Sequence, residues 1–346
     1  MQVSAYATQG AEEDLKPFEI TRRELQPDDV LIEISHCGVC HSDIHSARND
    51  WGRSKYPFVP GHEIIGRVAE VGPAVSKHKV GDLVGVGCMV DACLSCPACH
   101  DGDEQYCEKG MVGTYGGIEP VIGGPTFGGY SKQIVVRDEF VLKISDKLDP
   151  AEAAPLLCAG ITSWSPLKHW NVGKGDKVGV IGLGGLGHMG IKFAVALGAE
   201  VVMITTSPEK GEDARRLGVS DVLISTDRAA MQAQFGTFDF LLNTVPVKHS
   251  VNPYLGLLAR NGTMVMVGAI EPLEPMHGGL LLAGRRRIAG SGIGGLKETQ
   301  DMLDFCAEHG IGCDIELIDI KDINAAYDRV VKGDVKYRFV IDMATL

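Results

Sequence analysis

The chain has 346 residues, of which 45% are hydrophobic and 23% charged, so it is long enough for about two globular domains. Its formal net charge of −12 argues against nucleic acid or an anionic membrane as a partner. No apolar run reaches the roughly 18 residues of a membrane span, and the N-terminus lacks the pattern of a signal peptide, so we expect a cytoplasmic protein.

The first third of the chain has the pattern of a β-rich domain. An apolar run at Asp29–Ile34 predicts a strand, and residues 43–49 favour a short helix. Such a helix would present Cys40, Ser42 and His45 on connected turns.

Cys40 and His62 are candidate zinc ligands, because a thiolate and an imidazole bind a borderline-soft divalent ion well. They lie on separate predicted loops, so a third ligand must come from elsewhere, and Cys158 is the available candidate. Three protein ligands with an open fourth position are typical of a catalytic zinc site. Cys37 and Cys40 also form a C-x-x-C pair, which would be an alternative redox motif, but it follows a strand instead of opening a helix.

Four further cysteines lie within fifteen positions in a polar loop: Cys93, Cys96, Cys99 and Cys107. The alternative is a set of free surface thiols, which so tight a cluster disfavours. Four thiolates would make a closed tetrahedral site without a position for water, so this spacing predicts a structural zinc.

Residues 149–168 are predicted to be helical, with Asp149 and Pro150 at the start. Cys158 falls inside this helix. A lone cysteine in a helix is more often a core residue than a ligand, so the stretch by itself leaves both interpretations open.

The middle third has the pattern of a dinucleotide-binding unit. A buried strand at Asp176–Ile181 leads directly into the glycine turn Gly182–Gly187, and apolar residues four apart from Met189 onward predict a helix. A second strand follows at Ala199–Thr205. Continued alternation of strands and helices predicts a doubly wound parallel sheet.

The tip of that second strand predicts which nicotinamide cofactor is bound. An NAD site usually has an acid there, whereas this chain has Thr205, Thr206, Ser207 and Lys210, with Glu209 as the discordant residue. Hydroxyl groups and a cation suit a 2′-phosphate, so we expect NADP(H). The alternative is an ordinary polar loop.

Two motifs carry a family resemblance: Cys-Gly-Val-Cys-His-Ser-Asp at 37–43 and Pro-Gly-His-Glu at 60–63. They resemble the zinc-dependent medium-chain alcohol dehydrogenases, in particular the cinnamyl-alcohol-dehydrogenase-like branch, over nearly the full length. The resemblance implies an α/β protein with two domains. A discontinuous GroES-like β-rich catalytic domain would comprise 1–151 and 291–346, and a Rossmann NADP-binding domain 152–290.

The resemblance also implies two Zn²⁺ ions per chain. Cys158, in Cys-Ala-Gly-Ile-Thr, would join Cys40 and His62 at the catalytic zinc, and the four clustered cysteines would hold the structural one. Glu63 would be an alternative ligand of the catalytic zinc. The implied cofactor contacts are Gly182, Leu183, Gly184, Gly185, Leu186, Gly187, Thr205, Thr206, Ser207, Lys210, Thr244, Gly268, Ser291 and Ile293.

Four residues near the catalytic zinc are expected to be catalytic or supporting. Ser42 and His45 would form a proton relay, since a hydroxyl can pass a proton on and an imidazole titrates near neutral pH. Asp43 would orient a ligand histidine, and Glu63 would lie beside the zinc. The plain alternatives are turn capping for Ser42 and His45, and ordinary ion pairs for the two acids.

The activity implied is reversible reduction of small aldehydes to primary alcohols by a homodimer or homotetramer. Alternatives are a polyol or formaldehyde dehydrogenase of the same superfamily, or a cofactor-binding protein without catalysis. Gly292 stands where plant members place an aromatic pocket residue, which predicts a broader aromatic and aliphatic range; Trp51 could supply part of that wall. The physiological substrate stays open.

Overall fold

The computed structural model describes residues 1–268 and 271–346. Its strands are β1 (Gln2–Ala7), β2 (Lys16–Thr21), β3 (Asp29–Val39), β4 (Ile64–Val71), β5 (Leu83–Val86), β6 (Met89–Asp91), β7 (Val112–Gly113), β8 (Gln133–Arg137), β9 (Leu142–Lys143), β10 (Lys177–Ile181), β11 (Glu200–Thr205), β12 (Asp221–Ile224), β13 (Phe238–Asn243), β14 (Leu258–Met266), β15 (Arg287–Gly290), β16 (Ile315–Asp319) and β17 (Arg338–Asp342).

The α-helices of the described residues are α1 (His41–Ala47), α2 (Pro97–His100), α3 (Pro150–Ala153), α4 (Ala159–His169), α5 (Gly185–Ala196), α6 (Gly211–Arg216), α7 (Arg228–Ala233), α8 (Asn252–Leu257), α9 (Gly279–Leu282), α10 (Leu296–His309) and α11 (Ile323–Lys332). None of them combines the length and apolar composition needed to cross a bilayer.

The chain forms two compact units. One comprises Met1–Ile161 and Gly294–Leu346, and the other Thr162–Ile293. The expected first junction, after residue 151, precedes the observed one, and the expected second junction, after residue 290, also falls slightly early.

The first unit is built on a sheet of seven strands in the order β16-β17-β3-β4-β5-β9, with β8 also pairing with β3. The long strand β3 is antiparallel to both β4 and β17. Its inward side chains, such as Ile32, are fully buried, as is Phe339 on β17. The C-terminal segment therefore completes the sheet that the N-terminal segment begins.

The second unit is a six-stranded sheet in the order β12-β11-β10-β13-β14-β15, and every pairing in it is parallel. The helices between its strands are crossovers, which parallel pairing requires. Since its first strand is β10, this is the doubly wound order 3-2-1-4-5-6. The predicted fold class, which combines a β-rich domain and a Rossmann domain, is confirmed.

Candidate active site and metal centres

Four potential ligands converge in the first unit: Cys40, His62, Glu63 and Cys158. One ligand atom from each lies within 4.8 Å of the others, and all four residues are buried. The register of the sheet brings the first three together. Cys37 at the end of β3 faces Ile64 at the start of β4, so the loops that leave β3 and enter β4 emerge side by side.

The local structure around Cys158 differs from the sequence prediction. Residues 149–168 do not form one helix: α3 is followed by a 3₁₀ turn at Ala154–Leu157, and Cys158 lies in the break before α4 with φ −133° and ψ −66°. Pro155 cannot donate a helical hydrogen bond, which favours an interruption here. The predicted start is confirmed, because Asp149 accepts hydrogen bonds from the amides of Ala151 and Glu152.

Asp43 connects the two loops of this group. Its Oδ2 accepts a hydrogen bond of 2.7 Å from the amide of Cys40, and its Oδ1 lies 3.1 Å from the amide nitrogen of Gly61 and 3.0 Å from His62 Nδ1. The carboxylate is fully buried. Since it engages Nδ1, it leaves Nε2 of His62 for a metal, the arrangement by which proteins orient ligand imidazoles.

The distances and charges of this group fit zinc. Sulfurs around a tetrahedral zinc with Zn–S bonds of about 2.3 Å lie about 3.8 Å apart, and the Sγ atoms of Cys40 and Cys158 are 4.0 Å apart. A hydrogen bond from Cys158 holds the pKa of Cys40 well below its usual range, and nearby Arg338 adds to the effect. A thiolate is therefore favoured where a metal ligand needs one.

Glu63 is held by a residue that sequence reasoning did not identify. Arg338 on β17 forms a buried ion pair with Glu63 Oε1, while Oε2 has no hydrogen-bond partner in the described chain. Burial raises the pKa of Glu63 to about 8, against the opposing effect of Arg338. A Cβ at Gly38 would lie 2.0 Å from Oε2, so the glycine between the two cysteines makes room for this carboxylate.

Ser42 and His45 both lie on α1, three residues apart and hence on one face of the helix. His45 Nδ1 is 2.7 Å from Asp50 Oδ2, and both side chains are partly exposed, at 27% and 48%. The ring of His45 packs 5.5 Å from that of Trp51. Nothing in the sequence spacing distinguishes Asp50 from a solvated acid, and it was missed for that reason.

Two other side chains beside the metal ligands were also missed. Tyr115 packs edge-on against His62, with ring centroids 5.3 Å apart, and the thiol of Cys88 interacts with that of Cys158. The amide of Thr114, the residue before Tyr115, donates to the carbonyl of Cys88 at 3.1 Å. This hydrogen bond connects the two segments that carry Tyr115 and Cys88. Tyr115 lies near the start of a glycine-rich loop. An aromatic residue in such a loop was the sequence signal that could have indicated it.

The second group consists of Cys93, Cys96, Cys99 and Cys107, whose sulfurs all lie within 4.8 Å of one another. The Cys96–Cys99 and Cys93–Cys99 distances are 3.5 and 3.9 Å, close to the tetrahedral value of about 3.8 Å. Two main-chain amides donate to sulfurs of the group, which stabilises thiolates. The donor set and spacing fit a closed zinc site.

The expected cofactor residues share one edge of the parallel sheet. The turn Gly182–Gly187 follows β10, and Thr244, Gly268 and Ser291 follow β13, β14 and β15. In such sheets ligands bind outside the carboxyl ends of the strands. Ile293 comes two positions after Ser291, with φ +41°.

Close main-chain approach explains the glycines of the turn. Gly182 has φ +94°, which disfavours a side chain. A Cβ at Gly187 would lie 2.1 Å from the carbonyl oxygen of Gly182. The helix α5 begins at Gly185, so its free amides and positive dipole end face the space where a pyrophosphate would rest.

The tip of β11 presents the expected hydroxyl groups and cation. Thr206 is exposed, and Thr205 Oγ1 accepts from the amide of Ser207 at 3.0 Å. Lys210 Nζ lies 3.4 Å from the carbonyl oxygen of Leu183 in the glycine turn, so a positive charge stands beside the predicted phosphate position. Glu209 is exposed.

Comparison with protein families gives two matches. A model of the alcohol dehydrogenase GroES-like domain matches residues 26–146, and a model of zinc-binding dehydrogenases matches residues 185–308. The first match contains three of the four residues of the metal group, and the second begins within the glycine turn and contains its last three residues.

Individual proteins resemble the chain over its full length. It is 54% identical to aldehyde reductase YahK of Escherichia coli strain K12, covering 100% of this chain and 99% of that protein. It is 52% identical to NADP-dependent alcohol dehydrogenase C 1 of Mycolicibacterium smegmatis, covering 99% of both. A crystal structure of a cinnamyl alcohol dehydrogenase from Helicobacter pylori complexed with NADP(H) superimposes with a TM-score of 0.93, at 42% identity and 99% coverage of both chains.

Proposed function

Because this chain belongs to the zinc-binding alcohol dehydrogenases with a GroES-like domain, we propose that it is an NADP-dependent aldehyde reductase. It interconverts small aldehydes and primary alcohols: an aldehyde, NADPH and a proton give the alcohol and NADP⁺. The observation that carries the proposal is the convergence of Cys40, His62 and Cys158 in one buried group. That set distinguishes a catalyst from a cofactor-binding relative that has lost its metal.

The first unit supplies the metal chemistry in this proposal, and the second binds the cofactor. Cys40, His62 and Cys158 hold the catalytic zinc, and Asp43 keeps the His62 ring in the required tautomer. When bound, zinc polarises a carbonyl oxygen as a Lewis acid, and the nicotinamide supplies hydride. The buried Glu63, with its second oxygen unpartnered among the described residues, serves as the alternative ligand.

The proton comes through Ser42 and His45. The partial exposure of His45 supports this role, because a proton donor must exchange with solvent between turnovers. Asp50 orients the ring through its contact with Nδ1, as a carboxylate does for a catalytic histidine in general. Asp50 thus extends the predicted relay by one residue.

The cofactor is NADP(H). A relative named as NADP-dependent and a similar structure complexed with NADP(H) support this choice, and so does the chemistry at the tip of β11. Thr206, Ser207 and Lys210 offer hydroxyl donors and positive charge to a 2′-phosphate, and Glu209 is exposed to solvent.

The reaction is tested by steady-state kinetics over aromatic and aliphatic aldehydes, each with NADPH and with NADH, with the alcohol product quantified. We expect NADPH-dependent turnover of both aldehyde classes, since Gly292 leaves out the aromatic wall of plant relatives. Faster turnover of sorbitol, or of the glutathione adduct of formaldehyde, would favour the polyol or formaldehyde alternative.

The proposal also includes a cytoplasmic enzyme that works as a homodimer or a homotetramer, with no nucleic acid or membrane as partner. Sedimentation equilibrium of the purified protein distinguishes the two assemblies. A monomer at micromolar concentration would contradict this part of the proposal.

A further inference from the structure

A glycine-rich segment at 127–131 lies directly against the turn that carries His62. Three main-chain amides, of residues 128–130, donate to the three carbonyls of residues 59–61 at 2.8 to 3.0 Å. The two segments pack too closely for a side chain at Gly128, because a Cβ there would lie 2.1 Å from the carbonyl oxygen of Pro60. A shift of one segment therefore moves the other.

Arg22 holds this segment and Gln133 through four hydrogen bonds. Its guanidinium donates to the carbonyls of Phe127 at 2.7 Å, Gly128 at 2.9 Å and Gln133 at 3.1 Å, and to Ser131 Oγ at 2.9 Å. All four acceptors are carbonyl or hydroxyl oxygens. Burial, with Arg23 adding to it, lowers the pKa of Arg22 to about 9, which still leaves the group protonated near neutral pH.

The turn held in this way is also held by Asp43. The amide of Gly61 donates to the same Asp43 oxygen that contacts His62 Nδ1. The imidazole is thus held by the carboxylate of Asp43, and the turn that precedes it is held by the 128–130 segment. Arg22 itself contacts neither His62 nor the other candidate ligands in these hydrogen bonds.

We propose that Arg22 is a positioning residue for the catalytic metal centre: by clamping the 127–131 segment, it fixes the turn that aims His62 at the metal. The inference rests on the proposed function only in taking Cys40, His62 and Cys158 as zinc ligands. The planar fork of an arginine can serve several carbonyls in one orientation, whereas a lysine offers a single compact ammonium.

The test is Arg22→Lys in the zinc-loaded enzyme, with Arg67→Lys as the matched control. Arg67 also donates to a main-chain carbonyl, that of Gly81 at 2.9 Å, but on an exposed surface. With a chromogenic chelator we expect the more labile zinc to leave Arg22→Lys about tenfold faster, in the lower range for residues that support metal ligands. The slower zinc and the control should be unchanged.

A spectroscopic measurement separates positioning from general destabilisation. With cobalt substituted at the catalytic position, the visible ligand-field bands report the coordination geometry. We expect these bands to shift in Arg22→Lys and not in Arg67→Lys. Ser131→Ala removes one of the four hydrogen bonds of Arg22. It should change the rate of zinc release and the cobalt bands in the same direction as Arg22→Lys, but less, and it serves as the test if Arg22→Lys fails to fold.

Two outcomes would overturn the inference: cobalt bands and zinc release identical to those of the unmodified enzyme, or equal acceleration of both zincs with a lowered Tm. Failure of the proposed function looks different. An unmodified enzyme that reduces no aldehyde would refute the activity, while selective loosening of one zinc by Arg22→Lys would still support the positioning role.

Discussion

Asp43→Asn tests whether the buried carboxylate supports the catalytic metal. The side chain accepts three hydrogen bonds, from the amides of Cys40 and Gly61 and from His62 Nδ1. An asparagine has only one accepting oxygen, so at least one of these donors must face an NH₂ group.

Both orientations of the asparagine are unfavourable. If its oxygen takes the place of Oδ1, the NH₂ meets the amide of Cys40, and a buried donor without a partner costs about 1–3 kcal/mol. If the amide is turned over, the NH₂ faces His62 Nδ1, which must then accept. The proton moves to Nε2, the nitrogen needed by the metal.

We therefore expect Asp43→Asn to weaken binding of the labile zinc by about 10- to 100-fold, or roughly 1.4 to 2.7 kcal/mol. The assay is chelator competition, with zinc counted per chain and Tm measured alongside. Asp50→Asn is the control, because Asp50 also accepts from a histidine, yet at a partly exposed site. Zinc release from Asp43→Asn at the unmodified rate would refute the role assigned to this carboxylate.

Three further predictions concern the relay, the second zinc and the cofactor. His45→Gln should lower kcat by about 100-fold through loss of a proton donor, with zinc content unchanged; an unaltered rate and pH profile would remove it from the relay. Cys99→Ser should lose the slowly exchanging zinc and aggregate, because structural zinc contributes folding free energy, and a stable variant with two zincs would contradict this. NADPH should exceed NADH in kcat/KM by at least about tenfold, and Thr206→Asp should reverse the preference by repelling the 2′-phosphate; equal efficiency in the unmodified enzyme would refute the NADP assignment.

The parts of the site carried by local motifs could be predicted from the sequence. Strand, glycine turn and helix follow one another around Gly182–Gly187, so the dinucleotide edge was foreseeable from order alone. The four clustered cysteines were likewise identifiable, because a short loop must bring them together. Ligand chemistry made Cys40 and His62 candidates, but only the β3–β4 register explains why their loops meet.

Contacts made across long stretches of chain could not be predicted. Arg338 reaches Glu63 over 275 positions, and only the return of β17 to β3 places it there. The available signal was an arginine directly before three apolar residues of the strand. The sequence predicts one helix over 149–168 from its start signal alone, and the break at Cys158 depends on the 3₁₀ turn that precedes it.

The central claim, an aldehyde reductase that depends on the Cys40–His62–Cys158 zinc, is tested most directly by reconstitution. The enzyme is treated with chelator until about one zinc per chain remains. The open catalytic site should lose its zinc before the closed four-cysteine site does. Zinc is then returned in steps, and NADPH-dependent aldehyde reduction is measured against bound metal. The account predicts almost no activity at one zinc, a linear rise with the second, and a plateau at two. Full activity at one zinc per chain, with the fold intact, would contradict it.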